Sequence, residues 1–182
     1  MNLRAIVTCF LVLMIGSVVA QSDTIGFYND NAGMSCNLTD FSPLKNVYVV
    51  HFSPGGATAA EFSVPKPACW TNATFLNVTA AWEYVGNPQT GMAIGYGACR
   101  TGAIHFVTVV YFLQGSSPAC CLYPLRGSVS SGGEVMVVDC NSNMVPAVGL
   151  VATINGNETC PCGYPVPVEE TTWGQVKALY TE

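Results

Sequence analysis

The run Ile104-His105-Phe106-Val107-Thr108-Val109-Val110-Tyr111-Phe112-Leu113 is rich in β-branched and aromatic residues, and it predicts a strand. Apolar side chains occupy both odd and even positions of the run, which is typical of a central strand that is covered on both faces. We therefore expect this segment to lie in the middle of a sheet.

Shorter apolar runs on either side of this segment alternate with clusters of Gly, Pro, Asn and Ser, which mark turns. No helical periodicity separates these runs, so seven short strands predict one all-β domain, an antiparallel β-sandwich over residues 21–163. The six further predicted strands cover residues 47–52, 60–64, 73–85, 92–96, 135–139 and 148–154.

The composition excludes two classes of protein. Half of the 182 residues are hydrophobic and only 9% are charged, against about 25% in an average soluble domain, so the chain is not disordered. The six Lys and Arg residues are scattered, and the formal net charge is −5. Because no basic cluster is available to neutralise phosphates, we expect no nucleic-acid partner.

Residues 1–20 have the pattern of a cleaved signal helix. Arg4 precedes the apolar run 5–15, and Val18-Val19-Ala20 places short side chains before Gln21. The run is shorter than the roughly 20 residues that a spanning helix needs, so we expect cleavage after Ala20 rather than a retained anchor. The mature protein is then secreted, extracellular or at the cell surface, without membrane contact.

Eight cysteines follow the signal, and an even number in an oxidising compartment predicts up to four disulfides. Adjacent cysteines bridge each other with difficulty, so each member of the close pairs is expected to have a different partner. The spacing is not that of zinc ligands, and we expect no metal or other cofactor. The eight are Cys36, Cys69, Cys99, Cys120, Cys121, Cys140, Cys160 and Cys162.

The sequence does not favour an enzyme. The nucleophile motif G-x-S-x-G is absent, and His51 and His105 both fall within predicted strands. The carboxylates are scattered, about one per segment, rather than paired. We therefore predict a non-enzymatic structural or interaction module. A secreted hydrolase on the same fold is an alternative, which would need two carboxylates or a Ser/His pair facing one another in a cleft.

Two segments are candidates for binding. The stretch Asn29-Asp30-Asn31-Ala32-Gly33 offers oxygen ligands, but such turns more often hydrogen-bond their own backbone. Trp70 lies directly after Cys69 and close to two prolines, and it is expected to be exposed. It could then stack on a polysaccharide, which makes a carbohydrate-binding module the second hypothesis. Trp82 and Tyr84 share one face of their predicted strand and are expected to be buried.

Residues 164–182 differ from the domain before them. Pro165 and Pro167 predict an extended linker, and apolar residues then recur at helical spacing after a possible N-cap at Thr172. We expect a short C-terminal amphipathic helix that could act as a docking or sorting element. Its apolar residues are Trp173, Val176, Leu179 and Tyr180.

The tail resembles the ends of uncharacterised secreted proteins of uncultured bacterial lineages, which close on a Thr-Trp followed by a run like Lys177-Ala178-Leu179-Tyr180. Ile25-Gly26-Phe27-Tyr28, Val47-Tyr48-Val49-Val50 and the late cysteines match their bodies. Those proteins look like compact Ig-like or cohesin-like sandwiches. The resemblance implies that fold and a bacterial, extracellular setting. The partner that we expect is an extracellular protein or a polysaccharide.

Overall fold

A computed structural model describes residues 22–163 of the chain. The signal helix predicted for residues 1–20 lies outside the described residues. The same holds for the linker and helix predicted for residues 164–182, including Trp173, Val176, Leu179 and Tyr180.

The described residues form two packed sheets. The large sheet has the order β10-β1-β3-β6-β4, and the small sheet has the order β2-β11-β7. In the large sheet β5 also pairs with β6, β8 pairs with β3, and β9 pairs with β8. The strands are β1 (Thr24–Tyr28), β2 (Asn37–Leu38), β3 (Leu44–Phe62), β4 (Ala73–Ala80), β5 (Tyr84–Asn87), β6 (Gly91–Leu113), β7 (Cys121–Pro124), β8 (Met136–Asp139), β9 (Met144–Pro146), β10 (Val148–Gly149) and β11 (Val151–Ile154).

The all-β sandwich predicted from the sequence is confirmed. Most strand pairs are antiparallel, but β1 pairs with β10 and β2 with β11 in parallel. Between residues 22 and 163 there is no helix that could cross a membrane.

The long strands β3 and β6 join segments that the sequence predicts as separate strands. Gly55 and Gly56, which suggest a turn, instead lie in β3 where its register with β6 shifts between Ser53 and Ala57. Gly56 has a φ of 89°, and a Cβ there would come within 2.6 Å of the Cys140 sulfur. This glycine therefore lets the strand bulge past a disulfide rather than reverse its direction.

The core lies between the two sheets, and its largest fully buried side chains are aromatic. Phe27 of β1 stacks on Tyr123 of β7 with ring centroids 4.0 Å apart. The hydroxyl groups of Tyr111, from β6, and Tyr123 are 2.6 Å apart and share a hydrogen bond. Contacts of this kind fix the small sheet against the large one.

Four disulfides use all eight of the predicted cysteines. They are Cys36–Cys162, Cys69–Cys121, Cys99–Cys140 and Cys120–Cys160. The neighbours Cys120 and Cys121 have different partners, as do Cys160 and Cys162, which confirms the prediction from their spacing. Three of the four bridges end on or beside a strand of the small sheet. The bridges therefore reinforce mainly that side of the sandwich.

Candidate functional site

The outer side of the large sheet is open where β3, β6 and β4 lie side by side. Alternate residues of a strand point to opposite sides, so every second side chain here faces away from the core. We call the nine outward residues the open face. In the observed register they form three rows, Leu44–Phe112–Thr74, Asn46–Val110–Asn77 and Tyr48–Thr108–Thr79.

The open face has apolar and neutral polar side chains and no charged residue. Leu44 is 58% exposed, and its cross-strand neighbour Phe112 is 37% exposed. Leu76, at a bulge in β4, and Phe41, just before β3, add further exposed apolar surface nearby. A neighbouring group of exposed apolar side chains is typical of an interaction surface.

These exposures correct one prediction about β6. Its segment Ile104–Leu113 does lie in the centre of the sheet, between β3 and β4. However, only the side that carries Val109 and Tyr111 is fully covered, while Phe112 is exposed on the other side. Apolar residues on both faces of β6 therefore do not show that a second layer covers its outer face.

The outer side of the small sheet is covered by the protein itself along its central strand, β11, while Leu122 of the neighbouring strand β7 stays 43% exposed. All four residues of its central strand β11 are buried, including the outward-facing Val151 and Thr153. The segment 155–163 covers them. The Gly163 N–H donates to the Val151 carbonyl oxygen at 2.8 Å, and the Thr153 hydroxyl donates to the Pro161 carbonyl oxygen at 3.4 Å. The Cys36–Cys162 disulfide fixes the end of this covering segment.

Asp40 holds the start of the covering segment. It is 2% exposed. Its carboxylate accepts hydrogen bonds from the Ser117 hydroxyl at 2.6 Å, the Ser117 N–H and the Asn155 amide at 2.7 Å each, the Ser116 hydroxyl at 2.9 Å and the Asn72 amide at 3.2 Å. Burial opposes its ionisation, but the bonds from Ser117, Asn155 and Ser116 outweigh that effect and hold the pKa of Asp40 well below its ordinary value. Asp40 is therefore a structural carboxylate.

A second buried polar group lies at the start of β1. His51 is fully buried, with Nδ1 2.9 Å from the Tyr96 hydroxyl oxygen and Nε2 3.5 Å from Asp23 Oδ1. Burial lowers the pKa of His51, and the attraction of Asp23 offsets this only in part. Burial, followed by the charge of Asp23, raises the pKa of Tyr96. Since His51 is enclosed, it cannot serve a bulky substrate as an acid or base.

The prediction that Trp70 is exposed is wrong. Its exposed fraction is 0%, and its ring lies 4.5 Å from Tyr111 and 5.9 Å from Tyr123, measured between ring centroids. The Cys69–Cys121 disulfide ties its loop to the small sheet, which draws the indole between the sheets. Trp70 therefore cannot stack on a polysaccharide.

The Asn29–Gly33 segment is a turn bonded to its own backbone, as expected. Asp30 Oδ1 accepts the N–H groups of Ala32 at 2.9 Å and Met34 at 3.1 Å, and Oδ2 accepts that of Ser35 at 2.8 Å. These bonds, with that of Met34 foremost, lower the pKa of Asp30. Across residues 22–163, no group of three or more His, Cys, Asp and Glu side chains is arranged to hold a metal ion.

The expectation for Trp82 and Tyr84 is half right. Trp82 is partly buried, with its ring 5.3 Å from that of Tyr96 and the Arg100 guanidinium 4.7 Å from its centroid. Tyr84 is 38% exposed. The predicted strand 73–85 is interrupted between β4 and β5, so the alternation that placed both residues on one face does not continue through it.

Comparison with solved structures finds cohesin modules. The sixth cohesin of scaffoldin B from Acetivibrio cellulolyticus superposes with a TM-score of 0.50 at 12% identity, over 75% of this chain and 99% of that one. A non-cellulosomal cohesin from Archaeoglobus fulgidus gives a TM-score of 0.43 at 14% identity, over 88% and 99%. A cohesin module from Clostridium perfringens gives 0.48 at 11%, over 75% and 98%.

The likeness to the Acetivibrio module shows that this chain has a cohesin-like sandwich. No protein-family model matches the sequence, and no curated protein does.

Proposed function

We propose that the chain is a secreted, non-enzymatic module that binds an extracellular protein partner through the open face. The observation that carries the proposal is the exposed Leu44–Phe112 pair within a surface that has no charged residue. Covering this surface removes apolar area from water, at about 25 cal/mol per Å², without the cost of burying a charge.

The fold supports a protein as the class of partner. The Acetivibrio cohesin structure is a complex with a dockerin. At 12% identity the likeness extends to the fold alone, so the identity of the partner does not transfer. What transfers is the expectation that a sandwich of this kind presents a surface to another protein.

The polar groups of the chain favour binding over catalysis. Asp40 and Asp30 are engaged in hydrogen bonds that hold loops together, and His51 is enclosed. Burial of Trp70 removes the residue on which the carbohydrate-binding hypothesis rested.

Affinity capture from the culture medium of the source organism tests the proposal. The bait is the mature protein, compared with a Leu44→Lys/Phe112→Lys variant. The matched control, Leu122→Lys/Val129→Lys, changes two other exposed apolar residues, one on β7 of the small sheet and one on a loop. We expect both the wild type and the control to retain the same protein, and the open-face variant to lose at least tenfold of that retention.

The salt dependence of the captured complex sharpens this test. Because the open face carries no charge, retention should change little between low and high salt. Equal retention by the open-face variant would contradict the proposal. So would retention of the wild type on insoluble polysaccharide in place of any protein.

A further inference from the structure

The strand β4 lies at one edge of the large sheet. One of its sides pairs with β6, and no strand within residues 22–163 pairs with its other side. Among the described strands that pair on one side only, β4 is the longest, with eight residues. By comparison, β5 and β7 have four residues each, β9 has three, and β2 and β10 have two each. Short edge strands limit pairing with other chains, and β4 is the exception.

A hydrogen bond at the end of β4 shows which of its backbone groups face outward. Ala81 follows the strand, one step beyond the last pair of the register, and its N–H donates to the Phe106 carbonyl oxygen at 2.9 Å. Hydrogen-bonded pairs alternate along antiparallel strands, so Thr79 also bonds to β6. The N–H and C=O groups of Val78 and Ala80 therefore point away from the sheet. No other backbone group within residues 22–163 pairs with them.

The outer edge of β4 carries little that would keep another strand away. Charged residues, prolines and bulges are the usual means of protecting an edge strand. Residues 67–82 include no charged residue, and β4 itself has no proline. Its bulge lies between Phe75 and Asn77, so residues 77–80 keep a regular register. This part of the edge is suited to pairing with another extended strand.

We propose that β4 pairs with β4 of a second copy of this chain, in antiparallel orientation about Thr79, to form a two-fold dimer. Two-fold dimers are the commonest homo-oligomers, and their interface uses the same surface on both subunits. An antiparallel strand pair meets this condition. Val78 of each copy comes opposite Ala80 of the other, and the two residues exchange both of their backbone hydrogen bonds.

The side chains and charges suit a second copy. Thr79 faces Thr79 of the other copy on the side of the open face, and Thr pairs of this kind stabilise antiparallel strands. Val78 and Ala80, which are partly buried against the core, face one another on the opposite side. The two-fold relation brings Glu83 of each copy toward Phe75 of the other, so the two Glu83 carboxylates stay apart. A chain of net charge −5 thus meets its copy along an uncharged edge.

The dimer adds to the proposed function without depending on it. An antiparallel strand pair has its two-fold axis perpendicular to the sheet, so β3-β6-β4 continues into β4-β6-β3 of the second copy. Both open faces then lie on the same side of one continuous sheet. Two linked binding surfaces increase the avidity for a partner that is immobilised or repeated.

Disulfide trapping of the full-length mature protein tests the pairing. Residues opposite each other in a non-hydrogen-bonded antiparallel pair have Cα atoms about 4.5 Å apart, which a disulfide can span. We therefore expect Thr79→Cys to form a covalent dimer under mild oxidation. Thr108→Cys is the matched control, because Thr108 lies next to Thr79 on the open face, one strand further in. Its counterpart in the dimer is three strand spacings away, about 14 Å, so it should not cross-link.

Sedimentation equilibrium measures the association without a cross-link. The wild type should show a concentration-dependent dimer. Ala80→Pro removes an outward N–H and leaves the bonds to β6 in place, as prolines on edge strands do, so it should weaken association at least tenfold. The Leu44→Lys/Phe112→Lys variant should dimerise like the wild type, because neither residue lies on β4.

Three results would overturn the proposal. The first is a wild type that sediments as a monomer up to millimolar concentration. The second is equal cross-linking of Thr79→Cys and Thr108→Cys. The third is a dimer that survives Ala80→Pro and is lost in Leu44→Lys/Phe112→Lys, which would place the contact on the open face. If Ala80→Pro fails to fold, the two cysteine variants decide.

Discussion

The outer faces of the two sheets differ in whether another segment of the protein covers them. On the small sheet, the covering segment 155–163 lies over Val151 and Thr153 and is fixed at its end by the Cys36–Cys162 disulfide. On the large sheet, no segment within residues 22–163 lies over Leu44 or Phe112, and both remain exposed.

The features that stabilise the fold and the surface that we propose for binding lie on different sides of the molecule. Three of the four disulfides and the Asp40 network are concentrated where the protein covers its own sheet. The open face, in contrast, takes no part in any bridge and carries no charge. We infer that the closed side supplies rigidity and that the open side is available to a partner. Variants on the closed side should therefore affect folding, and variants on the open side should affect binding.

Removing the Cys36–Cys162 bridge should have the largest effect. The bridge spans 126 residues, for which the chain-entropy model gives about 5 kcal/mol of stabilisation. In a Cys36→Ser/Cys162→Ser variant the covering segment should also detach, so the amide hydrogens of β11 should exchange faster. Denaturant unfolding and hydrogen exchange measure the two effects.

Cys99→Ser/Cys140→Ser is the matched control for that experiment. This bridge spans 41 residues and joins β6 to the residue after β8, both in the large sheet, so about 4 kcal/mol should be lost without faster exchange in β11. Equal protection of β11 in both variants would show that the covering segment does not need its disulfide.

Trp70→Ala should be the next most damaging change, because the indole fills the space between the two sheets. Truncation of a buried aromatic side chain costs about 3–5 kcal/mol, and Trp70→Phe should cost clearly less. Thermal unfolding of both variants measures the difference. If Trp70→Ala unfolds like the wild type, the indole is not the core residue described above.

Asp40→Asn should cost about 2–3 kcal/mol at pH 7, since an amide cannot accept all the bonds that the carboxylate receives. The pKa of Asp40 is lowered in the folded state, so its stabilisation is complete above the unfolded-state pKa of about 3.9 and is lost as the pH falls below that value. The wild type should therefore lose stability below about pH 4 more steeply than the variant. Parallel acid-denaturation curves would contradict this role.

Much of the fold could be predicted because its signals are local. The seven apolar runs and the turn residues between them sufficed to predict a sandwich. The even number of cysteines sufficed to predict that disulfides form, but not how the cysteines pair. The strand boundaries were less predictable. From the sequence Gly56 predicts a turn, but in the structure it lies at a bulge of β3, against the Cys99–Cys140 bridge.

The candidate sites were less predictable because they depend on contacts between distant segments. Trp70 follows two prolines in a loop, which suggests exposure, whereas the bridge from its neighbour Cys69 to Cys121 holds this loop against the small sheet. The open face has a weak local signal in the neutral outward residues of β4, Thr74, Asn77 and Thr79. Which sheet a covering segment lies over, however, depends on contacts between residues that are far apart in the sequence.

Side-chain footprinting of the protein with and without its captured partner tests the central claim most directly. We predict that Leu44, Tyr48 and Phe112 become protected from hydroxyl-radical labelling when the partner binds, while Leu122 and Val129 are labelled equally in both states. Protection of Leu122 without protection of Phe112 would place the partner on the small sheet and contradict the account.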